Sequence, residues 1–211
     1  MNEQGIGAAI SRREDQRFIT GKGRYTDDIN QHGQAYAYFV RSPHAHASIT
    51  GIDKTAAEAM PGVLAVLTGD DVKADSLGGL ICGWLVKSKD GSPMKEPPHP
   101  VLAQGKVRHV GDQVALIVAE TALQAKDAAE LIEVDYEELP AVIDITTADK
   151  SASAVHDDVP NNVCYDWGHG NKDAVDAAFK QAAKVSTLEF VNNRLIPNAM
   201  EPRAANAHYT K

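Results

Sequence analysis

Apolar residues alternate with period two in some stretches and return at helical spacing in others, which divides the chain into short strands and short helices. Over residues 34–41, Tyr36, Tyr38 and Val40 fall on one face and Ala35, Ala37 and Phe39 on the other. Apolar residues on both faces predict a strand covered on both sides. A second strand is expected over residues 47–52, with Asp53 as N-cap of a short helix, 54–60, that Pro61 and Gly62 stop. Residues 63–69 read as a third strand. The following segment, 75–100, carries glycines and four prolines without periodicity and is expected to be a long surface excursion.

From residue 106 the pattern tightens. Val107 and Val110 precede a turn at Gly111 and Asp112, and the run QVALIVA is apolar enough to be a central buried strand. Thr121 and Gln124 form a T-x-x-Q capping box. Behind it, Ala125, Ala128, Ala129 and Ile132 make one apolar stripe whose small residues permit close approach to a sheet. Residues 132–136 return as a strand, ended by Glu137, Glu138 and Pro140. Strand, helix and strand imply a crossover, right-handed if the two strands are parallel. After a polar stretch at 146–162, Val175, Ala178, Phe179 and Ala182 repeat the helical spacing, and strands are expected over 184–191 and 204–209. Val175, Phe179, Leu188 and Phe190 need a sheet to cover them, so they are expected either to dock on the preceding unit or to form an exposed patch that favours association.

Charge and composition narrow the chemistry. A formal net charge of -8, with 21 Lys and Arg dispersed among 29 acids, argues against nucleic acid and against an anionic membrane surface. Two cysteines, Cys82 and Cys164, stand far apart without a C-x-x-C partner, which excludes a disulfide scaffold, a zinc ribbon and an iron–sulfur cluster held by this chain alone. The first residues lack the basic and long apolar regions of a secretory signal, and no apolar run is long enough to span a bilayer, so a reduced, cytoplasmic setting is expected.

Several motifs invite a reading and give little. Gly5 and Gly7 in GIGAAI loosely suggest a dinucleotide loop, but no strand precedes them and no third glycine follows. His44 and His46 would point the same way on a strand, as metal ligands can, yet lack a third ligand at strand or helical spacing; packing or hydrogen bonding at a strand end is favoured. No G-x-S-x-G elbow supports a hydrolase triad. The acidic doublets at 27–28, 70–71, 137–138 and 157–158 lack the spacing of a calcium loop and are expected to solvate turns.

Taken together, RREDQRFITGKGRYTDDI, RSPHAHASI, PGVLAVLTGDDV, KVRHVGDQVALIVAET and IEVDYEELPAV resemble, in that order, the N-terminal part of the molybdopterin-binding large subunit of the xanthine dehydrogenase, aldehyde oxidase and carbon monoxide dehydrogenase family. The resemblance implies an α+β protein: an N-terminal arm (1–16), an α/β hammerhead domain (17–148) and an incomplete second α+β domain (149–211) opening the first molybdopterin-binding domain. It further implies an oxidoreductase that hydroxylates aldehydes, purines, N-heterocycles or related small molecules with oxygen from water. Molybdopterin would carry the molybdenum, and partner subunits or domains would carry FAD and [2Fe–2S] clusters. The family's catalytic glutamate and its glycine-rich phenylalanine and glutamine loops have no counterpart in these 211 residues. No catalytic residue, no cofactor bound by this chain alone and no independent activity are therefore expected. One motif does match: Met200-Glu201-Pro202-Arg203 resembles the family's M-E-P-R turn, which makes Glu201 and Arg203 the candidate substrate-binding residues, with Glu201 either orienting a polar or protonated substrate or standing as a surface carboxylate before a proline-fixed turn. The rival reading is a non-catalytic scaffold or subunit-interaction module from a shortened gene, binding no cofactor.

Overall fold

The computed structural model describes residues 7–193, 195–199 and 201–210. It divides into two units, one of Met1–Gln34 with Ser186–Lys211 and a larger one of Ala35–Val185.

In the smaller unit a short helix, α1 (Asp15–Ile19), leads to a 3-10 turn at Thr26–Asp28. The glycines between them have different reasons. Gly21 sits at φ +69, a left-handed turn position that favours glycine, whereas a Cβ on Gly23 would stand 2.6 Å from a Phe18 ring carbon. Phe18 in turn stacks on Tyr25, with ring centroids 5.6 Å apart.

The larger unit contains six strands: β1 (Tyr36–Arg41), β2 (Ala47–Asp53), β3 (Val63–Thr68), β4 (Lys106–Val107), β5 (Gln113–Ala119) and β6 (Glu133–Glu138). They form two antiparallel three-stranded sheets, ordered β1-β5-β3 and β4-β2-β6. Helices α2 (Thr55–Glu58), α3 (Gly69–Ala74), α4 (Ala122–Ala129) and α5 (Lys172–Gln181) complete it. β5 is the centre of the first sheet, with Ile117 opposite Tyr38 on one side and Val66 on the other. Val114, Ala115, Ile117 and Ala119 are fully buried. Ile117 packs with Ala57, Val66, Ala119, Ala125 and Ala128, and a second cluster joins Val114 to Ala47, Ala103 and Val107.

Helix α4 keeps the apolar stripe that its spacing predicts: Ala125 and Ala128 are wholly buried, with Ala129 and Ile132 packed beside them. Its capping is only partly as expected. Thr121 Oγ1 accepts the Gln124 N–H at 3.2 Å, but the Gln124 side chain accepts the Thr121 hydroxyl through Oε1 at 2.8 Å, in place of the Thr121 N–H, and donates through Nε2 to the Pro61 carbonyl at 3.2 Å. A Cβ at Gly62 would lie 2.1 Å from that amide nitrogen, so the stop of α2 and the start of α4 share one close contact. Asp53 lies one residue before the cap position, where its carboxylate accepts the Thr55 N–H at 2.9 Å.

Four expectations need correction. β1 is an edge strand with Tyr38 and Phe39 about two-fifths exposed, not a strand covered on both sides. β5 and β6 lie in different sheets and every pairing is antiparallel, so α4 passes between sheets and the parallel-crossover rule has nothing to act on. Helix α3 follows β3 without a gap, started by Thr68 and Asp71 in a reciprocal cap. Its signal was present as T-x-x-D, with aspartate in place of the longer glutamate or glutamine. Finally, 184–191 and 204–209 hold no strand among the described residues. Val175, Phe179, Leu188 and Phe190 are all more than half exposed, the uncovered alternative of the two anticipated. Among the described residues no helix is long and apolar enough to cross a membrane.

Truncating Ile117 to Ala should destabilise the larger unit by about 2–5 kcal/mol through lost burial and a residual cavity, read as a lower urea midpoint at unchanged slope. Asp71 accepts hydrogen bonds from the Thr68 N–H (2.7 Å), the Thr68 hydroxyl (2.9 Å) and Lys54 Nζ (3.3 Å). The Thr68 bonds first, and Lys54 after them, hold its carboxyl below the usual range. For a depressed folded-state pKa the stabilisation is complete above the ordinary carboxylate value and fades as pH falls through the lower folded value. Asp71→Ala should therefore cost about 1 kcal/mol at pH 7, and the gap to the parent should close in acid. A gap that stayed constant from pH 7 into the carboxylate range would contradict this.

Candidate functional site

Glu201 is half-buried in the smaller unit, in the turn that Pro202 restricts on its far side. Its Oε1 accepts the Thr26 N–H at 2.9 Å, across 175 positions of sequence. From the same segment Asn206 Nδ2 donates to the Thr26 carbonyl at 2.7 Å. Both main-chain polar groups of Thr26 are thus held by residues that follow the M-E-P-R motif or belong to it. Arg203 is exposed and makes no hydrogen bond or ion pair with another described residue, so the two candidate substrate-binding residues are in different situations. Met200 lies outside the described residues. Thr26 and Asn206 carried no signal in the sequence, because their contacts run through main-chain groups and an ordinary amide distant along the chain.

The histidine pair has separate duties. His46 is buried, and its Nδ1 lies 2.9 Å from the Pro140 carbonyl, an oxygen that can only accept; Nδ1 therefore carries the proton. Its Nε2 is buried without a hydrogen-bond partner among the described residues. His44 instead tilts against the Tyr136 ring, centroids 4.7 Å apart, with Nδ1 3.3 Å from Glu138 Oε1. The strand-end packing and hydrogen-bonding role is what the geometry shows. Among the described residues no group of three or more His, Cys, Asp or Glu side chains converges as a metal site.

Members of the acidic doublets serve turns and pairs. Asp28 accepts the Tyr25 N–H at 2.9 Å, Asp71 caps α3, and Asp157 pairs with Lys106 at 2.8 Å. The Lys106 hydrogen bond, together with its charge, holds the Asp157 carboxyl below the usual range. Lys54 shows opposing effects: burial disfavours its charge, but hydrogen bonds to Glu58 and Asp71 outweigh that and raise its pKa. Of the GIGAAI glycines, Gly5 lies outside the described residues and Gly7 is a turn glycine at φ +85.

Several clefts indent the larger unit. One of about 540 Å³ is lined by Leu80, Ile81, Met94, Pro98 and His99, and one of about 320 Å³ by Trp84, Met94, Tyr165 and Trp167. The first cleft also carries Lys95 beside Glu96, so its charges cancel, and the second is lined by no charged side chain, whereas a phosphate-bearing pterin needs clustered cations or a row of main-chain donors. Residues 186–193, 195–199 and 201–210 supply no strand to build such a row, and Glu201 Oε1 is already engaged by Thr26. The described residues do not by themselves fit the cofactor.

Comparison with known proteins assigns this architecture a class. A model of the aldehyde oxidase and xanthine dehydrogenase a/b hammerhead domain matches residues 20–140, and one of the molybdopterin cofactor-binding domain matches 155–211. The chain belongs to the aldehyde oxidase and xanthine dehydrogenase family. It is 37% identical over 204 residues to the nicotine 6-hydroxylase large subunit of Paenarthrobacter nicotinovorans, covering 97% of this chain and 24% of that protein. To the carbon monoxide dehydrogenase large chain of Afipia carboxidovorans it is 36% identical over 211 residues, covering 94% of this chain and 25% of that one. Among solved structures, reconstituted CO dehydrogenase from Oligotropha carboxidovorans aligns at a TM-score of 0.65 and 36% identity, covering 86% of this chain and 23% of that one. The chain spans about a quarter of the length of these relatives. The resemblance carried by the five sequence blocks, and the mixed α and β fold it implied, are borne out.

Because His44 and His46 are engaged separately, stoichiometric zinc should leave the melting temperature of the chain within about 1 °C; a rise of several degrees would mean that they bind metal together.

Proposed function

We propose that this chain forms the N-terminal part of a molybdenum hydroxylase large subunit and works only when joined to the remaining molybdopterin-binding domains. In this reading residues 17–148 are the hammerhead domain, 149–211 open the first molybdopterin-binding domain, and FAD-binding and iron–sulfur subunits take the electrons. The observation that carries it is the succession of the two family matches along a chain that spans a quarter of its relatives. The exposed apolar side chains of Phe179, Leu188 and Phe190 support it, since they are what a domain lacking its partner strands would leave uncovered. The bound molybdenum cofactor would supply the oxygen-transfer and redox chemistry.

This chain's own contribution is positional. Glu201 would present a carboxylate to a polar or protonated small-molecule substrate, and the exposed Arg203 would offer a second charge of opposite sign. A single charge-assisted hydrogen bond contributes about 1.5–3 kcal/mol, which sets the size of effect to look for.

Co-expression with the completing domains and partner subunits tests the reading. Molybdenum content and dye reduction with aldehydes or N-heterocycles should appear in the assembly and be absent from the chain alone. Within the assembly Glu201→Ala should lower kcat/KM by about 10- to 100-fold at unchanged molybdenum content. An assembly without molybdenum and without dye reduction would leave the non-catalytic scaffold as the function.

A further inference from the structure

We infer that Thr26 and Asn206 are positioning residues for the Glu201 carboxylate. The inference rests on the proposed substrate role of Glu201 and adds what holds that side chain in place. A glutamate has three side-chain torsions, so one that must meet a substrate in a fixed pose needs an anchor for one of its oxygens. Glu201 Oε1 has one in the Thr26 N–H at 2.9 Å. Asn206 closes the arrangement by donating to the Thr26 carbonyl at 2.7 Å, so the residue whose N–H grips Glu201 is itself gripped, through its next peptide, five residues after Glu201.

Thr26 is no loose partner. It opens the 3-10 turn, its carbonyl also accepts the Ile29 N–H at 3.2 Å, and the preceding residue, Tyr25, is fixed twice. The Tyr25 N–H donates to Asp28 at 2.9 Å, and its ring stacks on Phe18. Phe18 is seated over Gly23, where no Cβ would fit without displacing it. A line of contacts therefore runs from GKGRYTDD to Glu201, with a main-chain donor rather than a flexible side chain at its end. The positioning depends on segments at opposite ends of the sequence.

Two measurements test this. In the 211-residue chain, amide hydrogen exchange of Thr26 should quicken about tenfold or more in Glu201→Ala and stay near the parent rate in Glu201→Gln, which keeps an acceptor oxygen. Unchanged exchange in Glu201→Ala would overturn the inference. In the assembled enzyme, Thr26→Pro removes the N–H donor along with the threonine side chain, and the backbone accepts it because Tyr25 is already extended at ψ 171 and the first residue of a helical turn tolerates proline. Asn206→Leu removes the second hold independently, should the proline variant fail to fold. Either should raise KM about tenfold with kcat changed less than about threefold and molybdenum content unchanged, the expected mark of a misplaced binding group. KM unmoved by both, while Glu201→Ala moves it, would also reject the positioning role. If Glu201→Ala leaves kcat/KM unmoved while the Thr26 amide still quickens, the substrate reading of Glu201 is the part that fails, and the contact is a structural tie alone.

Discussion

Pairing of β5 on both edges is the constraint from which the larger unit follows. Its seven residues are nearly all apolar, and a strand of that kind costs too much wherever its main-chain groups face a dry environment unpaired. β1 and β3 supply the partners, and the alternation along β5 then sends Ile117 and Ala119 to one cluster and Val114 to the other. The two clusters share this one strand. The second sheet has its own centre in β2, which is why a unit of this size contains two small sheets and not one large one.

Small residues let the helices take their places on this frame. Ala57, Ala125 and Ala128 bring α2 and α4 close to Val66 and Ile117, and Gly62 lets the Gln124 amide reach the Pro61 carbonyl. Gly69 has a comparable reason: a Cβ there would meet the Ala103 carbonyl at 2.1 Å. At each of these positions the packing energy comes from the larger neighbour, and the small residue contributes by leaving room for it. The C-terminal region has no such arrangement. Leu188, Phe190, Leu195 and Ile196 keep the apolar character of core residues yet are largely exposed among the described residues.

Legibility tracked the distance over which an interaction acts. The strands around residues 47–52, 63–69 and 113–119 and the stripe of α4 could be read because alternation, helical spacing and a threonine cap are all local. α3 was legible in principle through Thr68 and Asp71. Residues 184–191 carry a strand-like pattern that the structure does not use, because propensity alone does not satisfy a strand's hydrogen bonds when no described residue offers a partner edge. At the candidate site, the M-E-P-R motif pointed to Glu201 and Arg203, but nothing nearby in sequence indicated that Thr26 and Asn206 would engage the first and leave the second exposed.

By itself, then, the order of apolar and polar residues determined the mixed α and β class, the identity of the central strand and, through five motif blocks, the family. Each of these depends on neighbours within a few positions or on recognisable runs of residues. Tertiary structure alone decided that β5 and β6 belong to different sheets, that β1 is an edge, and that Glu201 meets the Thr26 main chain. Those outcomes depend on which distant segments win the competition for a strand edge or a donor, and that competition is settled only when the whole chain packs.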